Sequence, residues 1–280
     1  LAVSATHRPF PKHTSLRTTI ARPMSVNAPT PEFLAATAQL GVELEPADLQ
    51  RLERFLDILL ETNKRFNLTA ITEPADAWIR HIFDSLTLVP PLASIELPPE
   101  EHLRVIDLGS GGGVPAIPLA IIMPDARFTL VEATGKKAAF LRETAAALAL
   151  DNVTILHERA ERIGQDHRVH RERYHAATAR ALGHLAVVAE LCAPLVRPAG
   201  FVFAVKGARA EQELAESGIA CGLVGLRHTE TLITPTGRIV ALEKTIRTPR
   251  TYPRKDGEPA RVPLGVPSRP SAKSAAPPAD

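Results

Sequence analysis

The 280 residues contain only two cysteines, Cys192 and Cys221. They supply neither a disulfide framework nor a Cys-x-x-Cys metal knuckle, and that scarcity points to the cytoplasm or an organelle interior. Long apolar runs are missing as well. The longest, residues 114–123, carries two prolines and is about half of what a membrane-spanning helix needs. The ten histidines never fall into His-Glu-x-x-His spacing, so no metal site is expected. No Gly-x-Ser-x-Gly elbow of an α/β-hydrolase occurs. Tyr252 and Lys255 stand at the wrong spacing for a short-chain dehydrogenase pair. Aromatic residues make up only 4%, and the single Trp78, beside Ile79, reads as core.

What remains is an ordinary globular composition, 45% hydrophobic and 23% charged, long enough for one large fold with appendages. The net charge of +2 hides an asymmetry. Residues 1–31 hold four bases and no acid, and residues 247–280 hold seven bases against three acids. The body, 32–246, has 22 bases and 28 acids and is therefore −6. A polyanionic partner would have to be held by tails or local patches. Residues 1–31 show no apolar period and are expected to be a disordered extension. Because the chain opens on Leu1, this stretch reads either as an upstream reading frame before Met24 or as an organelle transit peptide. Residues 247–280 read as a basic, largely extended tail, loose from Val266 onward.

Between the ends, two rhythms follow one another. A short helix over 32–40 should end at Gly41. Pro46 opens a second, with Leu49, Leu52, Phe55, Leu56, Leu59 and Leu60 at helical spacing. A third after Pro74 places Ile79, Ile82, Phe83, Leu86 and Val89 on one stripe. These form an N-terminal helical part, 32–98. From Arg104 on, strands are expected at 104–108, 128–131, 153–157, 174–179, 201–205, 224–232 and 238–245. Helices are expected at 115–123, 135–150, 185–196 and 208–221. Alternation of this kind is α/β: a doubly wound, mainly parallel sheet. The last two runs should close it as an antiparallel hairpin, giving a seven-stranded domain over 99–246. That is the plan of class I S-adenosylmethionine-dependent methyltransferases, Rossmann-like but distinct from the six-stranded dinucleotide fold.

The first strand runs into Asp107-Leu108-Gly109-Ser110-Gly111-Gly112-Gly113-Val114-Pro115. Glycines let a backbone approach a ligand closely, but nucleotide and methyl-donor sites share such loops. Asp107 discriminates between them. A carboxylate two residues before the first glycine suits the ammonium of a methionine moiety, whereas a pyrophosphate would be repelled. Glu132, at the end of the second strand, can accept from ribose hydroxyls.

Several further motifs occur in order: Asn67-Leu68-Thr69, Arg80-His81-Ile82-Phe83-Asp84-Ser85, Lys136-Lys137, Arg159-Ala160-Glu161, Ala179-Arg180-Ala181, Lys206-Gly207 and Tyr252-Pro253-Arg254-Lys255. From about Pro46 to Leu264 the set resembles the bacterial GidB/RsmG family, which methylates guanine N7 in small-subunit (16S) ribosomal RNA. The resemblance implies S-adenosyl-L-methionine as donor, held by Asp107, Gly109, Gly111 and Val114 at its methionine end. Glu132, Ala133 and Thr134 would contact ribose and adenine, Ala160 and Glu161 the adenine edge, and Arg180 the mouth of the pocket. Arg80, His81 and Lys206 become candidates for positioning the substrate, and Arg250, Arg254 and Lys255 for binding RNA. The partner would be small-subunit ribosomal RNA, met by a cytoplasmic monomer with no membrane association. One position departs: His175 stands where the family usually has Asp, and is expected to alter packing more than chemistry.

The chemistry asks little of the protein. Guanine N7 has an in-plane lone pair and no proton, so transfer is one displacement that needs alignment but no general base. A regular RNA helix hides N7 in its deep groove, so the target should be an unpaired loop base. A nicotinamide dehydrogenase, a non-catalytic RNA-binding module and a methyltransferase for another RNA or a small molecule stand as alternatives at this point. On spacing alone, Arg80, His81, Asp84 and Ser85 lie off the apolar stripe and could form a solvated face.

Overall fold

The computed structural model describes residues 28–266. Residues 1–27 and 267–280, and with them most of the expected extension and loose end, lie outside the described residues. α1 (Pro31–Leu40) starts where Thr30 Oγ1 accepts from the Phe33 amide at 3.1 Å, and ends at Gly41, whose φ of 74° suits a residue without Cβ. α2 (Pro46–Asn63) buries Leu52, Phe55, Leu56 and Leu59 on the expected stripe.

The third helix is not regular. α3 (Pro74–Ala77) passes through a π-helical turn (Trp78–Phe83) into α4 (Asp84–Leu86), followed by α5 (Val89–Ala93). Such widening often sits at functional sites. Here it puts His81, Asp84 and Ser85 in the interior together with Ile82, Phe83 and Leu86. His81, Asp84 and Ser85 are therefore not on the solvated face that spacing alone allowed, while Arg80 is exposed. Trp78 is fully buried, its ring centroid 4.6 Å from that of Phe33, which agrees with a core role.

The sheet has seven strands in the order β3-β2-β1-β4-β5-β7-β6. β1 (Arg104–Leu108), β2 (Arg127–Val131), β3 (Val153–Leu156), β4 (Tyr174–Arg180) and β5 (Val196–Lys206) are parallel. β7 (Gly237–Lys244) lies antiparallel between β5 and β6 (Leu226–Thr234), which completes the expected hairpin. α6 (Ala116–Ile122) and α7 (Gly135–Ala147) help cover one face together with the N-terminal helices, while α9 (Leu185–Cys192) and α11 (Gly218–Val224) cover the other. α8 (Ala160–Gly164), α10 (Ala210–Glu216) and α12 (Glu258–Arg261) are short. Strand alternation carries this division: Val105 packs into the first core, Ile106 and Leu108 into the second.

Element boundaries differ from expectation where backbone geometry intervenes. β5 begins at Val196, not 201, and the helix expected over 208–221 is the pair α10 and α11. β6 starts at Leu226 because Gly225, at φ 80°, caps α11 in a left-handed conformation.

The C-terminal segment differs most. Residues 247–266 pack on the body instead of extending from it. Glu190 on α9 is fully buried and requires a counter-charge. Arg254 supplies it, donating from Nη2 to Oε2 at 2.7 Å and from Nε to Oε1 at 2.9 Å. Arg171 donates to the carbonyls of Gly164, Thr248, Pro249 and Tyr252. His175 is buried at the start of β4, where Nδ1 accepts from the Arg104 amide at 2.8 Å and Nε2 faces Glu101 at 2.9 Å. Burial lowers its pKa more than Glu101 raises it. Its contacts lie in packing at the N-terminal edge of the sheet, far along the strand from Arg180.

Candidate active site

β1 delivers Asp107 to the C-terminal edge of the sheet, where open α/β folds bind ligands. Register pairs it with Thr178 on β4, whose hydroxyl donates to Asp107 Oδ1 at 2.7 Å. Oδ2 is buried and has no hydrogen-bond partner. Burial pushes the Asp107 carboxyl up to about 6, against the opposing bonds from Ser110 and Thr178.

The loop that follows turns at Gly109 (φ 70°), whose amide donates to Val131 O at 2.9 Å. A Cβ on Gly109 would come within 2.7 Å of Leu182, and one on Gly112 within 3.0 Å of Leu59 on α2. The loop is therefore pressed between sheet and N-terminal helices. Glu132 fastens it: Oε2 accepts from the Gly111 amide at 2.9 Å and Oε1 from the Thr134 amide at 2.7 Å.

The opposite wall comes from the N-terminal helices. Asn63, at the end of α2, accepts from the Leu68 and Thr69 amides at 2.7 and 3.0 Å and donates to Thr69 O at 2.9 Å. That pins Thr69, whose hydroxyl meets His81 Nε2 at 2.8 Å. Burial, and next the charge of Arg180, lower the His81 pKa to about 4. His81 is therefore neutral near pH 7 and does not act as a cation for phosphate. Leu68, Thr69, Arg80, His81, the glycine loop and Arg180 enclose a cavity of about 390 Å³.

Arg180 divides this cavity from a second. Its Nη2 donates to Arg80 O at 2.7 Å, and its Nη1 lies 3.7 Å from Asp84 Oδ2. Asp84 Oδ1 in turn accepts from Thr236 in the β6–β7 turn. Burial raises the Asp84 carboxyl, opposed by Arg180 and then Arg80. The second cavity, about 460 Å³, shares Arg80, Arg180 and Ala181 with the first and adds Lys206, Arg209 and Thr236.

Of the residues expected at the site, Gly109, Gly111, Val114 and Arg180 line the first cavity with Arg80 and His81. Asp107 and Glu132 support it from behind and beside the loop. Ala133 and Thr134 are exposed just beyond Glu132. Ala160 and Glu161 start α8, where Glu161 Oε1 takes the Gly257 amide at 2.7 Å and Arg159 at 2.9 Å, an attachment for the C-terminal segment. Lys206 lines the second cavity, but its Nζ is held by Gly183 O at 2.5 Å and Glu213 at 2.8 Å. Lys255 is exposed, and Arg250 sits at the other edge of the sheet, beside Arg171. Sequence reasoning missed Asn63, Thr178 and Thr236. A hydroxyl in the otherwise alanine-rich β4 run was a faint signal for Thr178; Asn63 and Thr236 had none.

Residues 48–239 match the family GidB, described as rRNA small subunit methyltransferase G. The chain belongs to the GidB family. Relatives named ribosomal RNA small subunit methyltransferase G match most of the chain. The one from Sorangium cellulosum is 44% identical over 80% of this chain and 92% of its own. That from Leuconostoc citreum is 37% identical over 83% and 98%, and that from Bacillus subtilis 36% identical over 83% and 98%. Within the GidB family frame, the site residues fit the methyl donor that the resemblance implies. The buried, unpartnered Asp107 Oδ2 offers an acceptor to an ammonium group, and the glycine loop lines the cavity with bare backbone. Asp107, buried near the end of β1 just before the loop, puts a carboxylate where a dinucleotide would bring its phosphates.

Proposed function

We propose that this protein transfers a methyl group from S-adenosyl-L-methionine to N7 of a guanine in a loop of small-subunit (16S) ribosomal RNA. The observation that carries this reading is the pair of cavities meeting at Arg80, Arg180 and Ala181, in a chain of the GidB family. The cavity behind the glycine loop suits the donor; the one rich in arginine suits a splayed nucleotide and its phosphate.

When bound, the donor supplies a sulfonium methyl, an electrophile that needs only a lone pair in line with it. Asp107 and Glu132 would hold its ammonium and ribose, and the loop amides are fixed beforehand by Glu132. Arg180 borders both cavities and is braced by Arg80 O and Asp84. It orients the two partners and places positive charge beside incoming phosphate. Lys206, tied to Gly183 O and Glu213, positions the second cavity's floor instead of reaching for substrate. Neutral His81 and the Thr69 hydroxyl present polar groups without a charge that would oppose the sulfonium.

Residues of one chain complete both cavities, which supports a monomer, and a small-subunit RNA substrate supports a cytoplasmic location. The test is to incubate purified protein with labelled donor and unmodified small-subunit RNA or particles, then map modified guanines by mass spectrometry. N7-methylguanosine at one loop position is expected. Label found elsewhere than guanine N7, or none with a folded protein that binds the donor, would refute the reading.

A further inference from the structure

The N-terminal edge of the sheet carries a third cavity, of about 530 Å³. Arg173 lies on it and immediately precedes β4, whose far end is Arg180. At ~3.3 Å per residue the strand separates this cavity from the methyl-transfer site by about 20 Å. Its walls include His167, Arg171, Glu172, Arg173, Arg247 and Arg250.

The arrangement is rigid where it needs to be and open where it can bind. Arg171 is buried and uses its guanidinium on four carbonyls, which fixes the main chain on both sides of Arg250. Glu172 is the one acid among the lining residues, and it is already engaged: Lys244 Nζ stands 3.6 Å and Arg247 Nε 3.7 Å away, and the Thr248 amide donates to it at 3.2 Å. Arg247 is 86% exposed. Among the described residues, neither Arg173 nor Arg250 has a carboxylate at ion-pair distance, and both are exposed. Three guanidinium groups therefore face solvent around one concavity on a body whose net charge is −6. Arginine forks match phosphate oxygens in pairs. No Phe, Tyr or Trp side chain lines the cavity to stack a base.

We propose that this cavity is a second RNA-contact site, which takes backbone phosphates of the substrate RNA at a distance from the reacting guanine. The proposal rests on the ribosomal RNA reading above. It moves backbone recognition from the tail as a whole to a site made by Arg173, Arg247 and Arg250, which the fold brings together from two separate segments. Such a contact reads no sequence; it fixes where the particle sits while the loop base enters the other edge.

The test uses the full chain carrying Arg173→Gln, Arg247→Gln and Arg250→Gln together. Binding to small-subunit RNA is measured over a salt series, donor affinity by calorimetry, and melting temperature with and without inorganic phosphate. The slope of log affinity against log salt should fall by about 0.7 for each phosphate the variant no longer neutralises, hence by roughly 2. Donor affinity and melting temperature should stay at wild-type values. An unchanged RNA affinity and slope would overturn the proposal. So would stabilisation of the wild type, but not the variant, by inorganic phosphate with an unchanged RNA slope, which would mark a free-anion site instead. Failure of the functional reading shows separately, as wild-type protein that leaves guanine N7 unmodified whatever the slope.

Discussion

Arg180 donates through Nη2 to the main-chain carbonyl of Arg80, one hundred positions earlier, at 2.7 Å. This bond ties the end of β4 to the π-helical turn of the N-terminal part and sets the wall between the two cavities. Replacing Arg180 with Lys keeps the charge but removes the fork that reaches both Arg80 O and Asp84. Misplacing reacting groups by about 1 Å can slow a reaction on the order of 100-fold. Arg180→Lys should therefore lower kcat for methyl transfer by tenfold or more, in the ~10- to 100-fold range, and leave donor affinity near wild type. Single-turnover methylation alongside calorimetry checks this; a kcat equal to wild type would remove Arg180 from alignment.

Glu132 holds Gly111 and Thr134 with one oxygen each and is the expected ribose acceptor. Glu132→Ala should weaken donor binding by roughly 1–3 kcal/mol, the range for removing a hydrogen bond to a charged group. Glu132→Gln retains one acceptor oxygen and should lose less. Calorimetric titration of both variants is the measurement, and equal affinity for all three proteins would relocate the ribose.

Asp107 and His81 should pull stability in opposite directions with pH. The folded pKa of Asp107 is raised by burial to about 6, so its contribution is present below the unfolded value near 3.8 and is lost as pH rises through 6. That of His81 is lowered by burial to about 4, so its contribution is full above 6.5 and is lost as pH falls toward 4. Each is about 3 kcal/mol at ~1.36 kcal/mol per pKa unit. In the wild type the two offset one another between pH 4 and 6. Asp107→Asn should expose a loss of stability on acidification, and His81→Asn a gain, relative to wild type. Urea unfolding at a series of pH values tests both, and curves that run parallel for all three proteins would refute the coupling.

Arg254 forms its ion pair with Glu190, a carboxylate with no exposure to solvent. Arg254→Ala strands that charge, and breaking a buried pair from one side costs about 3–5 kcal/mol. A marked drop in melting temperature is expected, with partial recovery in the double variant Arg254→Ala/Glu190→Gln. The salt slope for RNA should not change. A stable single variant with a flattened slope would return Arg254 to the RNA.

How much of this was legible beforehand depended on whether the signal was local. The stripe Leu52–Phe55–Leu56–Leu59, the glycine loop with Asp107, and the hairpin across Pro235 and Thr236 all rest on spacing within a few residues, and each was readable. So was the seven-stranded plan, because strand–helix alternation leaves few ways to wind a sheet. The π-helical turn was not, since its sequence matches a regular helix until packing widens it. Nor were the partners of charged side chains. Lys206 and Arg254 have the composition of ligand-binding residues, yet Glu213 and Glu190 claim them, because a carboxylate enclosed by a core must find its counter-charge nearby.

The amino-acid sequence by itself determined the sheet, the donor loop and the family, because periodicity, glycine placement and motif order are properties of short stretches. Only the tertiary structure decided which cations remain free. Arg173 and Arg250 stand seventy-seven positions apart and share a cavity, while Lys206 and Arg254 are held inside the fold. The reason is physical: a side chain's charge is written in its residue type, but whether that charge is spare depends on the acids that long-range packing brings against it.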